Sequence, residues 1–389
     1  MSNNNLAERL ANLPPMDVPS RLPKLREALF GGDAPTADQC DTFIVTNLTN
    51  IRWLSGFSGS AGILVVSENT CVLITDGRYA VQAPEETATT ATEVRIAQRG
   101  GQQNELLKEA VLGNRSKASA KQNPKVGLEA EHISWERQQT LSQEFNDLVP
   151  IKGVIEKLRR SKDHGEIARI EAAAAIADAA LAAMLPKLAD TSTSMTEQDF
   201  AADLDREFRR LGASDSAFPT IVAAGSNGAR PHAQPGPRTI QPGELTVIDS
   251  GAVVDGYRSD MTRTVSVGKP SEVAQQMWQV VQESQQAGVD AVKAGATTGE
   301  IDKICRDIIN SAGWGEAFMH STGHGVGLDI HEIPAVSANT EEILQVGEVI
   351  TVEPGIYLGE HGGVRIEDTV SVTSAGCRPL TKTPKVLVI

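Results

Sequence analysis

Between residues 41 and 82 the apolar positions fall into three short runs, DTFIVTN, ILVVS and VLITD, each rich in Val, Ile or Leu and bounded by Asn, Gly or Asp. Runs of that length and composition predict strands. A helix-prone stretch follows around Asn104–Leu112, then a further strand and helix near Val126–Phe145. Strands alternating with helices predict a small α/β domain. The Gly/Ser stretch SGFSGSAG, Ser55–Gly62, is read as a turn between strands.

The pattern changes after residues 151–165, a charged stretch with two glycines. From there Ile167, Ile170, Ala174, Ala177, Leu181, Met184 and Leu188 recur at three- and four-residue steps, the stripe of an amphipathic helix. Thr196 is placed to cap a second helix that ends before Gly212, and strands follow to about Val267. The scheme then repeats. Ser271 and Thr298 are expected to cap two more helices, Gly295 and Gly313 fall just beyond them, and further strands run to about Val372. Two rounds of helix, helix and strands predict a pseudo-duplicated α+β domain with helices covering one side of its sheet. The expected division is therefore 1–155 and 156–389, and 389 residues suit two domains better than one.

Composition narrows the function. An apolar fraction of 40% and a charged fraction of 22% are those of a soluble globular chain. A net charge of −14 argues against nucleic acid or an anionic membrane as the main partner. No apolar run of about 18 residues is read, so no transmembrane helix is expected. Residues 1–22 lack a basic segment followed by an apolar one, so no signal peptide is expected. Cys40, Cys71, Cys305 and Cys377 are scattered without a CxxC pair, which suits a reduced, cytoplasmic setting.

Chemistry concentrates in the strands of the second half. Asp249 interrupts the apolar run VIDSG, where a carboxylate is costly unless its charge is compensated. Asp260 opens SDMTRTVSV, and the Asp-Gly of AVVDGYR between them is the signal of a tight hairpin, so the two carboxylates can face one another across a strand pair. Asp260, Thr262 and Thr264 should share one face of that strand. Further on, Glu353 ends the apolar strand VITVEPG before a Pro-Gly turn, and Glu367 is expected in a strand with Arg365 on the same face. His324 lies in MHSTGHGVGLDIHE, whose glycines exclude a regular helix and with it the HExxH type of zinc site. Asp255, Glu332 and Asp368 are read as turn or solvated residues. Each candidate alone has an ordinary explanation. Four carboxylates and an imidazole meeting in one place would repel one another strongly, and two divalent cations would cancel that charge. Oxygen-rich ligation with one nitrogen suits Mn²⁺ or Co²⁺ better than structural Zn²⁺, and paired metals activate a bridging water for hydrolysis.

The ordered set Asp249, Asp260, His324, Glu353 and Glu367, within VIDSGAVVDGYRSDMTRT, STGHGVGLDIHE, TVEPGIY and GGVRIEDT, resembles the metal site of the pita-bread metallopeptidases. The separate N-terminal domain resembles that of the aminopeptidase P, prolidase and creatinase branch. The resemblance implies a creatinase-like N-terminal α/β domain before a pita-bread catalytic domain. It implies Asp249 on one metal, His324 and Glu353 on the other, and Asp260 and Glu367 bridging both, with Mn²⁺ foremost and Co²⁺ or Zn²⁺ as alternatives. Glu353 is also the implied general base. His232 in ARPHA and His331 in DIHE would contact the scissile peptide, His331 at the oxyanion. His320 would lie on the proline side of the cleft, and Arg365 would hold substrate and site carboxylates. The implied activity is hydrolysis of the bond before proline in proline-containing peptides by an Xaa-Pro aminopeptidase, with Xaa-Pro dipeptidase (prolidase) as the alternative. Family members are usually homodimers or homotetramers. A metal-free creatinase-like enzyme or binding module of the same fold should have lost these ligands, and this chain keeps all five.

Overall fold

The three early apolar runs form the strands Thr42–Val45, Ile63–Ser67 and Cys71–Asp76 of one six-stranded sheet. These three pair antiparallel. Glu93–Ala97 joins one side in parallel, and Lys125–Glu129 with Asp147–Ile151 joins the other. Every residue of Thr42–Val45 and Ile63–Ser67 is buried, which is why their apolar runs are continuous rather than alternating. Helices Gln102–Gly113 and Trp135–Glu144 contribute Leu107, Val111 and Leu141 to a core with Ile44, Val65, Ile74 and Val126. The computed structural model describes residues 3–31, 39–113, 123–192 and 194–389. They divide into two units, 17–159 and 1–16 together with 160–389.

In the second unit the helices start where side chains can satisfy the first free amides. Asp163 and Glu166 form a reciprocal capping box at the head of His164–Ala189. Thr196 caps Glu197–Arg210, and Ser271 caps Glu272–Ala291. Such caps contribute about 1 kcal/mol each. The helix Thr298–Ser311 begins one residue earlier than expected. Its cap is Thr297, because Glu300 then stands at the third position and closes the capping box; Thr298 is buried, and its hydroxyl donates to Thr340 Oγ1 at 2.8 Å.

Two apolar clusters mirror the repeated scheme. Phe200, Leu204 and Phe208, four residues apart on one helix face, pack with Ile176, Leu181, Val222, Ile248, Met261 and Val265. Met277, Val281, Ile301 and Cys305 pack with Val336, Ile350, Val352 and Val370. Each large side chain so buried contributes roughly 1.5–3 kcal/mol. The strands above the first cluster form a three-stranded sheet, Ile221–Ala224, Leu245–Ser250 and Met261–Ser266; those of the second form a five-stranded one built around Val349–Val352 and Asp368–Val372.

One helix bears on the expectation that no segment crosses a membrane. The helix His164–Ala189, 26 residues with a mean hydropathy of 1.5 over its most apolar window, is long and apolar enough to cross a membrane by length and composition. Its Ala-rich stretch supplies that apolarity. Ala173, Ala177, Ala180 and Met184 are spent inside the first core, and 56% of the window is buried in the protein.

Candidate metal centre

The hairpin read from AVVDGYR is present. Asp255 and Gly256 adopt φ of 48° and 79°, the left-handed pair that a two-residue turn requires and that Asp and Gly tolerate. Beyond it, Leu245–Ser250 and Met261–Ser266 pair antiparallel with Asp249 opposite Thr262. Alternation turns Ile248, Met261 and Val265 into the first core, and Asp249, Asp260, Thr262 and Thr264 to the other face.

The second half brings its residues to that face. Glu353 directly follows the strand Val349–Val352, and its amide donates to Thr322 O at 2.8 Å. The Pro-Gly after it is a junction rather than a turn, since Gly355 opens the next strand, Gly355–Leu358. Glu367 lies in the two-residue link between Gly362–Arg365 and Asp368–Val372, not inside a strand as expected. Its amide donates to Thr262 O at 3.1 Å, and Thr262 Oγ1 donates to its Oε2 at 2.7 Å. His324 is the middle residue of the short strand Gly323–Gly325. The flanking glycines are required there: a Cβ at 323 would stand 2.1 Å from Thr351 O, and one at 325 would stand 2.4 Å from Ile333 O.

His324 Nδ1 faces its neighbour's carbonyl, Gly325 O, at 3.0 Å, so Nδ1 carries the proton and the other nitrogen is the free ligand position. That Nε2 looks at Glu353 Oε1 at 3.3 Å and Asp260 Oδ2 at 3.6 Å. Ligand atoms of Asp260, His324 and Glu367 all lie within 4.8 Å of one another. Asp249 Oδ1 and Glu367 Oε1 are buried without a hydrogen-bond partner among the described residues. Burial and the neighbouring carboxylates hold Asp260 and Glu367 well above the usual carboxylate range. Burial also raises Asp249, against the pull of Arg365. Burial acts the same way on Glu353, but the hydrogen bond and charge of His324, with His320 and Arg365, bring it down to about 2. Burial depresses His324, yet Glu353 leaves it above its ordinary value. Converging lone pairs and raised carboxyls are the signature of a site that trades protons for cations, so cation binding strengthens as pH rises. The donors are oxygen-rich with one imidazole, which fits hard or borderline divalent ions.

Arg365 is buried and organises the rim. Its Nη2 donates to Asp249 Oδ2 at 2.6 Å, its Nε to Thr262 Oγ1 at 3.1 Å, and its Nη1 to Tyr357 Oη at 2.7 Å and Pro231 O at 3.2 Å. Tyr357 then donates to His320 Nε2 at 2.9 Å, because His320 Nδ1 is engaged by Ser321 O at 2.8 Å. Burial lowers the His320 imidazole and pushes the Tyr357 hydroxyl up to about 12. His320 thus stands beside the cluster as an acceptor, outside the ligand set. The exposed His331 ring packs edge-on against His324, centroids 4.5 Å apart; partial burial and His324 lower it, so it is neutral at pH 7. His232, on an exposed loop, is near enough to depress both His320 and His331.

Sequence reasoning missed Tyr357, although it stands in the TVEPGIY segment, and misread two neighbours. Asp368 is not solvated: it is buried between Arg263 Nη2 at 2.8 Å and Lys385 Nζ at 2.7 Å. Glu332 pairs with the buried Lys162 at 3.0 Å. Asp255 is the turn residue expected, with Arg169 at 2.6 Å.

Residues 168–374, more than half of the chain, match the model of metallopeptidase family M24. This chain belongs to that family. The M24 region is preceded by a match to the creatinase/prolidase N-terminal domain over residues 21–161, so the expected pita-bread α+β domain after an α/β domain holds. Among M24 relatives, the Xaa-Pro dipeptidase of Pyrococcus horikoshii is 36% identical over 352 residues, 90% of this chain and 94% of that protein. The solved Xaa-Pro dipeptidase from Bacillus anthracis superposes with a TM-score of 0.87 at 34% identity, covering 96% of this chain and 100% of the other. The X-Pro aminopeptidase from Thermotoga maritima gives a TM-score of 0.80 at 37% identity over 90% and 98%.

Proposed function

We propose that this M24 metallopeptidase hydrolyses the bond between an N-terminal residue and a following proline, with Xaa-Pro dipeptides as its first substrates. The observation that carries the reading is the pair of buried carboxylate oxygens, Asp249 Oδ1 and Glu367 Oε1, that lack a partner among the described residues, set near His324 Nε2, which faces Glu353. Asp249, Asp260, His324, Glu353 and Glu367 would hold two divalent cations, Mn²⁺ being best suited to the donor set. Bound there, the cations supply Lewis-acid activation of a water and of the scissile carbonyl.

The protein's own groups do the rest. Glu353, ionised at neutral pH, accepts the proton of the attacking water and returns it to the leaving nitrogen. That delivery matters because the proline nitrogen in the peptide bond carries no hydrogen and leaves poorly as an anion. Neutral His331 donates to the carbonyl oxygen as charge develops on it, and His232 contacts the same peptide from its loop. The Arg365–Tyr357–His320 chain fixes the wall on the proline side without placing an unmet acceptor there.

The sequence alone ranks longer Xaa-Pro peptides first. The dipeptidases of P. horikoshii and B. anthracis, aligned along nearly the whole chain, favour dipeptides, while the T. maritima enzyme supports the aminopeptidase reading as second. Steady-state hydrolysis of Ala-Pro and Leu-Pro against Ala-Pro-Ala with Mn²⁺ present decides between them. The expected result is a kcat/KM at least about ten-fold higher for dipeptides, a difference of about 1.4 kcal/mol. The reverse ratio assigns the aminopeptidase activity, and no cleavage of any of the three sinks both.

A further inference from the structure

Glu197 is only 1% exposed, stands outside the cluster, and is used by none of the chemistry above. It is the first residue of the helix Glu197–Arg210, where the positive end of the helix dipole favours its charge. Its Oε1 accepts from Ala224 N at 2.8 Å, and its Oε2 accepts from Asn227 Nδ2 at 2.8 Å and Gly236 N at 2.9 Å. Ala224 ends the strand Ile221–Ala224, Asn227 lies in the tight turn Gly225–Ala229, and Gly236 closes the loop after His232. Backbone bonds from Glu197 N to Arg238 O at 3.0 Å and from Gln198 N to Gly236 O at 3.1 Å fasten the same return segment. In the middle of the loop, Pro231 O is held by Arg365. The stretch carrying His232 is therefore suspended between one buried carboxylate and the guanidinium that holds Asp249.

From this geometry we infer that Glu197 is a positioning residue for His232: its two oxygens clamp both ends of the 224–236 loop and so set where the imidazole meets the substrate. A glutamine there has nearly the same shape but only one accepting oxygen. Its NH2 can only donate, so in either orientation at least one of the three N–H donors faces another donor, and a buried donor left unpaired loosens its segment. Displacement of a contact group by about 1 Å costs on the order of 100-fold in rate.

The inference rests on the proposed role of His232, and a double-mutant cycle separates the two. Glu197→Gln is expected to lower kcat/KM by roughly 10- to 100-fold, mainly in kcat, with Mn²⁺ binding by calorimetry unchanged. In the His232→Ala background the same substitution should cost almost nothing further, because the group it positions is gone. Hydrogen exchange at the Ala224 and Gly236 amides, which needs no turnover, should accelerate in Glu197→Gln. Asn227→Ala, removing one of the three donors, should give a smaller loss with the same dependence on His232, and serves if Glu197→Gln does not fold. Equal losses with and without His232, or unchanged exchange, overturn the clamp alone. Wild-type turnover in His232→Ala overturns the substrate role of His232 and the clamp with it.

Discussion

Glu353→Gln should reduce kcat by about 1,000-fold or more, within the 10²–10⁴ range for loss of a general acid–base, and leave the fold in place. The side chain keeps its length, and the backbone N–H of residue 353 still donates to Thr322 O, so the strand junction is not disturbed. What disappears is a carboxylate that His324, His320 and Arg365, against the pull of burial, hold near pKa 2 and so ionised at neutral pH. An amide can neither accept the water's proton nor pass one to the proline nitrogen. Divalent-ion affinity should fall as well, since one charged donor becomes neutral; kcat is therefore measured at saturating Mn²⁺, with metal content determined on the same sample. Turnover within ten-fold of wild type at full occupancy would remove Glu353 from the chemistry.

Arg365→Met attacks stability more than any other single change at the site. Arg365 is the buried cation among Asp249, Asp260, Glu353 and Glu367, and it donates to Asp249, Thr262, Tyr357 and Pro231. Removing one partner of a buried ion pair costs about 3–5 kcal/mol, because the other charge is left uncompensated. The metal-free variant should unfold at correspondingly lower denaturant, and Mn²⁺ should recover part of the loss, since cations binding the folded state supply the missing positive charge. With Tyr357 unpinned, the His320 wall shifts too, and kcat/KM should fall by on the order of 100-fold even with metal present. Denaturant titrations with and without Mn²⁺ measure both effects. A loss below about 1 kcal/mol, the worth of an exposed pair, would show that Arg365 does not carry the charge balance of Asp249.

The parts of this site that could be read from the sequence are those with a local signature. A lone Asp inside an apolar strand, an Asp-Gly hairpin and a glycine-flanked histidine each carry their physics within a few residues, and the structure places Asp249, Asp260 and His324 accordingly. The repeated helix–helix–strand scheme was legible for the same reason, down to the caps at Thr196 and Ser271. Thr297 was also signalled by Glu300 three residues on and was overlooked. Partners remote in sequence left no such trace. Asp368 and Glu332 look solvated beside the motif until Arg263, Lys385 and Lys162 are folded against them, and Tyr357, which meets Arg365 across a local hairpin, reaches His320 only through the fold. The Ala-rich helix His164–Ala189 is apolar because it is packed in the core of its unit.

Anomalous diffraction from crystals grown with Mn²⁺ addresses the dinuclear site most directly. Two peaks are expected, both flanked by Asp260 and Glu367, with Asp249 on one and His324 and Glu353 on the other, and hydrolysis should stop on chelation and return with Mn²⁺. A single peak or none among these side chains, together with Xaa-Pro cleavage that survives complete metal removal, contradicts it.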